Sequence, residues 1–252
     1  MSEGKTFIGS AKVYDLLYKE KDYEKEVDFI IKFLEENNIK KESKILELGC
    51  GTGNYLSIFS KKGYDIEGMD LSEEMLKIAG QKCSCKLTQG DIVNFDLERK
   101  FDVCIVMFDV LSYITKNQDL ERGLQNIKNH LNERGLLIFQ VWNGLGVLNE
   151  RPEGRVKIEE NENLRIIRIA DPLLKSFENV VDVNYTYLIL DKEKNLLDEI
   201  HETHSMRFFF QKEIEYFLIK AGFEVLHISD FLNKEKPADD STWSMFVVAK
   251  LK

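Results

Sequence analysis

The stretch Lys44-Ile-Leu-Glu-Leu-Gly-Cys-Gly-Thr-Gly-Asn54 joins an apolar strand to a glycine-rich turn. Ile45, Leu46 and Leu48 read as a buried parallel strand, because a strand covered on both faces needs no polar alternation. Gly49, Gly51 and Gly53 then permit positive φ and leave no Cβ between the backbone and a ligand. From Asn54 onward, Tyr55, Leu56, Ile58 and Phe59 continue at helical spacing. The predicted unit is strand, loop and helix, with a backbone able to approach a nucleotide closely.

Asp70 supplies the second half of the pattern. It closes the apolar stretch Tyr64-Asp-Ile-Glu-Gly-Met69, about 20 residues beyond the loop, and so ends a second strand. A carboxylate there can accept both hydroxyls of a ribose while the loop amides face the rest of the ligand. The loop reads Glu-x-Gly-x-Gly-x-Gly, which is neither the dinucleotide fingerprint nor a phosphate-binding loop ending in Lys-Ser/Thr. Glu47 at its entrance would repel a pyrophosphate but suits an ammonium or a sulfonium.

In this form the stretch resembles motif I of the class I S-adenosylmethionine-dependent methyltransferases, and Gly68-Met-Asp-Leu-Ser-Glu-Glu-Met75 resembles their motif II. Gly90-Asp91-Ile92 is similar to the family's adenine-edge acidic loop. Phe101-Asp-Val-Cys-Ile-Val-Met-Phe108 is similar to its fourth strand and Gly135-Leu-Leu-Ile-Phe-Gln-Val141 to its fifth. The resemblance implies S-adenosyl-L-methionine as cofactor, contacted by Glu47, Gly49, Cys50, Gly51, Asn54, Asp70, Leu71, Met75, Asp91, Ile92 and Met107. Without it, the glycines make a tight turn, Asp91 caps a loop and Met75 packs a helix. Tyr14-Asp-Leu-Leu-Tyr18 alone reads as amphipathic helix. It also resembles a stretch of the glycine/sarcosine and amino-sugar N-methyltransferases in which the tyrosine closes over the methionine end of the cofactor. That adds Tyr14 to the cofactor contacts and Tyr18 to those of the acceptor.

Composition bounds the partners. The 252 residues are 43% hydrophobic and 31% charged, ordinary for a globular chain, and the formal charge is −9. Lys and Arg are interleaved with Glu and Asp, as in Lys19-Glu-Lys-Asp-Tyr-Glu-Lys-Glu26, so no basic stripe marks a nucleic-acid surface. Two signatures of nucleic-acid methyltransferases are also missing. Met107-Phe-Asp-Val-Leu-Ser-Tyr113 stands where Asn/Asp-Pro-Pro-Tyr/Phe would follow the fourth strand, and no Pro-Cys pair occurs. The acceptor expected is therefore a small molecule. No stretch is long and apolar enough for a bilayer, and Met1-Ser-Glu-Gly-Lys-Thr-Phe-Ile8 has no signal-peptide core, so the expectation is a cytoplasmic protein without membrane contact. Of the four cysteines, only Cys83 and Cys85 are close in sequence, and the histidines lie far from them, so structural thiols and no metal are expected.

Strand and helix alternate from Lys44 to Val141, which implies a parallel sheet wound with helices on both faces. Helical faces recur over Tyr23–Glu36 and over residues 119–131. After Trp142 the pattern changes to long strands over residues 164–170, 179–190 and 197–210, with a turn at 191–195. An amphipathic helix over 212–222 and a closing strand over 243–250 follow. The expected fold is α/β: a Rossmann-like, seven-stranded methyltransferase sheet with an inserted antiparallel β-sheet. Residues 1–145 and 211–252 are expected to form the cofactor domain, and 146–210 an inserted antiparallel lid that binds the acceptor or serves as the contact of a homodimer.

Within the insertion, the strand period of two keeps His201 and His204 on opposite faces, so at most one meets the pocket. His204 and Tyr14 are the candidate bases for an acceptor hydroxyl or protonated amine. Phe108, Tyr113, Trp142 and Asn143 end the fourth and fifth strands and line the acceptor side, although Phe108 and Trp142 equally suit a core. Arg207 is included because a guanidinium grips a diphosphate or carboxylate at two points. Val141-Trp-Asn-Gly through Arg151-Pro-Glu-Gly-Arg-Val, Asn179-Val-Val-Asp-Val-Asn-Tyr and Glu202-Thr-His-Ser-Met-Arg resemble a bacterial branch associated with sugar-nucleotide and surface-polysaccharide methyltransferases, which implies methyl transfer to nitrogen or oxygen of a sugar nucleotide. A small amine or amino acid is the alternative acceptor, and a cofactor-binding scaffold that transfers nothing is the alternative class.

Overall fold

The structure, a computed structural model, describes residues 9–252. The stretch read for a signal peptide lies outside them. A short helix α1 (Ala11–Leu17) precedes α2 (Tyr23–Glu36), β1 (Lys44–Leu48), α3 (Asn54–Lys61), β2 (Asp65–Asp70), α4 (Glu73–Lys82), β3 (Leu87–Gln89) and β4 (Phe101–Val106). Then come α5 (Asn117–Asn129), β5 (Leu131–Asn143), α6 (Gly144–Glu150), β6 (Arg155–Glu160), β7 (Arg165–Lys175), β8 (Val180–Leu190) and β9 (Leu196–Phe209). The chain ends with α7 (Gln211–Ala221), β10 (Phe223–Asp230) and β11 (Ser244–Leu251).

Strands β3, β2, β1, β4 and β5 lie side by side and parallel, β11 joins β5 antiparallel, and β10 joins β11. These are the seven strands expected. The order reverses between β1 and β4, so their flanking helices diverge and leave a crevice beyond the carboxyl ends. Alternate residues face opposite layers. Leu46, Cys104, Leu137, Phe139 and Val247 pack with α5 and α7, while Ile45, Val103, Ile138 and Phe246 pack with α2 and α3. Leu120, Leu124 and Ile127 of α5 are buried by the same 3.6-residue period that marks the helix in the sequence.

Strands β6 to β9 form an antiparallel platform. It is continuous with the main sheet, because Trp142 and Asn143 of β5 pair in parallel with Phe208 and Phe209 of β9. Register places Arg155, Arg168, Tyr187 and Ile200 across one inner face, and Val13 and Leu17 of α1 pack onto that face against Ile166, Tyr187 and Ile189. The helix expected over 119–131 instead starts at Asn117, and Leu131 opens β5. Strand β6 went unread in the sequence: its apolar Val156 and Ile158 alternate, but within a charged run, and both are exposed.

Candidate active site

A cleft of about 1460 Å³ opens beyond the carboxyl ends of β1 and β4 and under the platform. All the sequence-predicted site residues line it except Asn143 and Arg207. Those two are corrections. Asn143 accepts from the Leu145 N–H and donates to the carbonyls of Asp239 and Thr242, capping α6 and fixing a loop. Arg207 sits three residues from His204 and therefore on the opposite strand face. Its guanidinium pairs with Glu213 of α7 and donates to Asn117 Oδ1 at 2.6 Å.

The glycine loop is held from behind. The N–H groups of Gly49 and Cys50 both donate to the Met69 carbonyl, at 2.7 and 3.0 Å. The Asp70 carboxylate accepts from Gly51 N–H at 2.7 Å and from Ser72 N–H at 2.8 Å, so both oxygens have fixed directions. Burial pushes the Asp70 carboxyl up, opposed by those same N–H groups. Gly49, Gly51 and Gly53 all have positive φ. At Gly51 a Cβ would meet no protein atom within 4 Å and would point into the cleft.

Glu47 is 2% exposed, and its Oε2 has no hydrogen-bond partner. Burial and then the nearby Asp70 charge raise its carboxyl well above the usual range, which is relieved by a cation or a donor entering the cleft. The groups present thus fit a nucleoside carrying a cationic tail: a carboxylate pre-aimed for a diol, a loop whose Gly51 leaves no Cβ toward the cleft, and an orphaned buried acceptor. Among the described residues no group of side chains could hold a metal ion.

Two further predicted contacts are already engaged within the protein. Asn54 donates from Nδ2 to Asp15 at 3.2 Å and accepts from Lys82 Nζ at 2.7 Å. Asp91 accepts from the Val93 N–H at 2.9 Å, which turns the loop after β3 and leaves its other oxygen for a ligand. Met75 and Met107 are buried at the cleft wall, whereas Leu71 is exposed at its mouth.

Aromatic groups separate the two halves of the cleft. Tyr14 and Tyr18 are stacked at a tilt with ring centres 4.7 Å apart, and Tyr18 meets Phe108 edge-on at 5.1 Å. Burial pushes the Tyr14 phenol well above its ordinary range; at neutral pH it stays protonated and is a donor rather than a base. On the platform side, His204 Nδ1 lies 2.8 Å from the Tyr113 hydroxyl and Nε2 lies 3.1 Å from Glu202 Oε2. His201 points outward, as the strand period requires. Burial raises the Glu202 carboxyl, but hydrogen bonds from His204 and Ser10 outweigh it and hold the group below its usual range. An ionised Glu202 accepts, which assigns the proton to His204 Nε2 and leaves Nδ1 to accept from Tyr113.

Sequence reasoning missed Asp109. It follows Phe108 immediately after β4, and both have left-handed φ, +56° and +61°, a strained pairing for a phenylalanine. The turn aims Asp109 into the cleft, where burial pushes its carboxyl up to about 7 against the pull of Lys21. The signal available in the sequence was a lone acidic residue after an apolar strand. Asp15, Thr52 and Lys82 were also missed; they join α1 to the loop and to α4, with Thr52 Oγ1 donating to Asp15 at 2.7 Å.

A family model described as a methyltransferase domain matches residues 18–228. The chain belongs to this methyltransferase family. YqeM of Bacillus subtilis (strain 168), which is named as a methyltransferase, is 28% identical over 98% of this chain and 98% of its own length. The dTDP-3-amino-3,4,6-trideoxy-alpha-D-glucopyranose N,N-dimethyltransferase of Streptomyces venezuelae is 27% identical over 88% of this chain and 92% of its own. A solved S-adenosylmethionine-dependent methyltransferase from Clostridium acetobutylicum ATCC 824 superposes with a TM-score of 0.80 at 27% identity, covering 96% of this chain and 97% of that one. The methyltransferase therefore uses S-adenosylmethionine, and its sheet is that of the class I enzymes. No helix among the described residues is long and apolar enough to cross a membrane.

Proposed function

We propose that this methyltransferase alkylates an amine or hydroxyl of an activated sugar, a sugar nucleotide, in the cleft between the glycine loop and the platform. The observation that carries the reading is the pairing of Asp70, both oxygens fixed by Gly51 and Ser72, with a separate polar platform across the same cleft. The similarity to the aminosugar dimethyltransferase of Streptomyces venezuelae supports the acceptor class. Residues 1–145 and 211–252 carry the cofactor in this reading, and 146–210 carry the acceptor. A homodimer through the outward face of the platform, where Val156, Ile158 and Leu173 are exposed, belongs to the same reading and is tested by light scattering.

S-Adenosylmethionine supplies a methyl already activated on a sulfonium. The protein's own work is to position the acceptor lone pair in line, about 3 Å from the reacting carbon, and to remove a proton. Asp70 would hold the ribose hydroxyls, the Gly51 backbone would receive the nucleoside, Glu47 would meet the cationic end, and Tyr14 would donate a hydrogen bond to the methionine portion. Tyr113 accepts the acceptor's proton as it gives its own to His204 Nδ1, and Glu202 stabilises the imidazolium that results.

The test is release of S-adenosylhomocysteine from the purified protein with a panel of aminated and hydroxylated sugar nucleotides, beside glycine and small amines. Turnover confined to the sugar nucleotides is the expected result. Turnover with small amines alone replaces the acceptor class, and cofactor binding without turnover on any acceptor favours a scaffold.

A further inference from the structure

The cofactor half of the cleft is rich in carboxylates, Glu47, Asp70, Glu73, Glu74 and Asp91, and Asp109, Lys116, Asp119 and Arg122 also line its wall, whereas the platform strands β6 and β7 present two guanidiniums, Arg155 and Arg168. The three carboxylates of the platform's inner face, Glu159, Asp198 and Glu202, are already engaged, Asp198 with Lys12 at 2.6 Å. Glu159 is paired with Lys19 at 2.8 Å and Lys157 at 3.0 Å, and Glu202 with His204 at 3.1 Å. Among the described residues neither Arg155 nor Arg168 pairs with a carboxylate.

Arg168 is also held still. Nη1 donates to the Tyr18 hydroxyl at 3.1 Å, and the guanidinium carbon lies 5.3 Å from the Tyr185 ring centre and 5.8 Å from that of Tyr18. Its Nε is buried with no hydrogen-bond partner. A guanidinium that is fixed, partly desolvated and short of an acceptor is stabilised by an anion arriving in two-point geometry. Arg155 sits opposite Ala170 on the neighbouring strand, two positions along from Arg168, a diagonal of about 7–8 Å between backbones in a sheet. Two guanidiniums at that spacing suit two phosphoryl groups better than one carboxylate.

We infer that Arg168 and Arg155 form an anion-binding site of the platform that takes the diphosphate of the acceptor. The acidic cofactor half repels that diphosphate and attracts an ammonium, so the acceptor enters in one orientation, with its amine toward Asp109 and Tyr113. Tyr18 links the two halves, because its ring meets Phe108 at 5.1 Å and its hydroxyl meets Arg168. The site rests on the methyltransferase reading of the cleft and names the acceptor more narrowly.

The experiment is calorimetric titration of the full chain, saturated with S-adenosylhomocysteine, with inorganic pyrophosphate and with UDP. Wild type should bind both, UDP more tightly because its ester carries further contacts. Arg168→Gln should weaken each at least tenfold, Arg168→Lys and Arg155→Gln by a smaller factor, and S-adenosylhomocysteine affinity should stay within about threefold in all three. If Arg168→Gln does not fold, Arg168→Lys and Arg155→Gln carry the same comparison. Pyrophosphate binding that is absent in wild type, unchanged in the variants, or matched by malonate overturns the diphosphate site. Failure of S-adenosylhomocysteine to bind at the outset would instead overturn the cofactor reading, so the two failures are distinguishable.

Discussion

Tyr113 and His204 meet across the cleft, the phenol oxygen 2.8 Å from Nδ1, although 91 residues separate them in the chain. One ends the turn after β4 and the other sits in the platform, so the contact ties the acceptor half of the cleft to the sheet that carries the cofactor.

If that pair with Glu202 accepts the proton, His204→Ala should lower turnover about 10²-fold or more, the range for loss of a positioned acid–base group. Affinity for S-adenosylhomocysteine should stay within about threefold, below 1 kcal/mol. Glu202→Gln should reduce turnover less and move the acidic limb of the pH–rate profile. Equal turnover in wild type and His204→Ala removes the relay from the mechanism.

Asp109 makes a prediction about pH. Its folded pKa of about 7 lies above the ordinary carboxylate value, so the folded state holds the proton more tightly than the unfolded chain. The stability this contributes is complete below the unfolded value near 4 and is lost as pH rises through about 7. Asp109→Asn should therefore melt higher than wild type at pH 8, with the gap closing toward pH 5. Parallel melting curves across that range would show that the carboxyl is not titrating there.

Asp70 and Gly51 test the cofactor side. Asp70→Ala should weaken S-adenosylhomocysteine binding by about 1.5–3 kcal/mol, the range for a charge-assisted hydrogen bond. Gly51→Val should lose binding altogether. Its Cβ meets no protein atom, so only the left-handed backbone, about 1–2 kcal/mol, burdens the fold. A folded Gly51→Val variant that binds normally by calorimetry would move the cofactor elsewhere.

The main sheet was legible because its strands are buried on both faces and read as apolar runs closed by glycine or by an acidic residue, as at Leu48-Gly49 and Met69-Asp70. His204 was separable from His201 by period alone. Arg207 was not legible: its chemistry suited a diphosphate, but an odd spacing from His204 put it on the other face, against Glu213. Arg168 does face the cleft, on a strand whose sequence, Arg-Ile-Ile-Arg-Ile, shows no clean alternation. Asp109 depends on two successive left-handed residues, and no composition rule places a phenylalanine there. The Asp15 clamp joins residues 37 apart, beyond the reach of any local pattern.

That clamp carries the last prediction. Helix α1 has seven residues and no side-chain cap at its start, too short to persist alone. It is held by Val13 and Leu17 on the platform and by Asp15, which accepts from Thr52 and Asn54 and pairs with Lys82 at 2.7 Å. Asp15 is partly solvent-exposed, so its loss should cost the fold only about 0.5–1 kcal/mol. The consequence should appear in the cleft instead, because α1 carries Tyr14 and the clamp fixes it against the glycine loop. Asp15→Ala should speed dissociation of S-adenosylhomocysteine by about 2–5-fold, within that same energy range, and raise amide exchange across residues 11–17, with little change in melting temperature. Unchanged dissociation together with unchanged exchange would mean that platform packing alone seats the helix and that Asp15 has no part in closing the site.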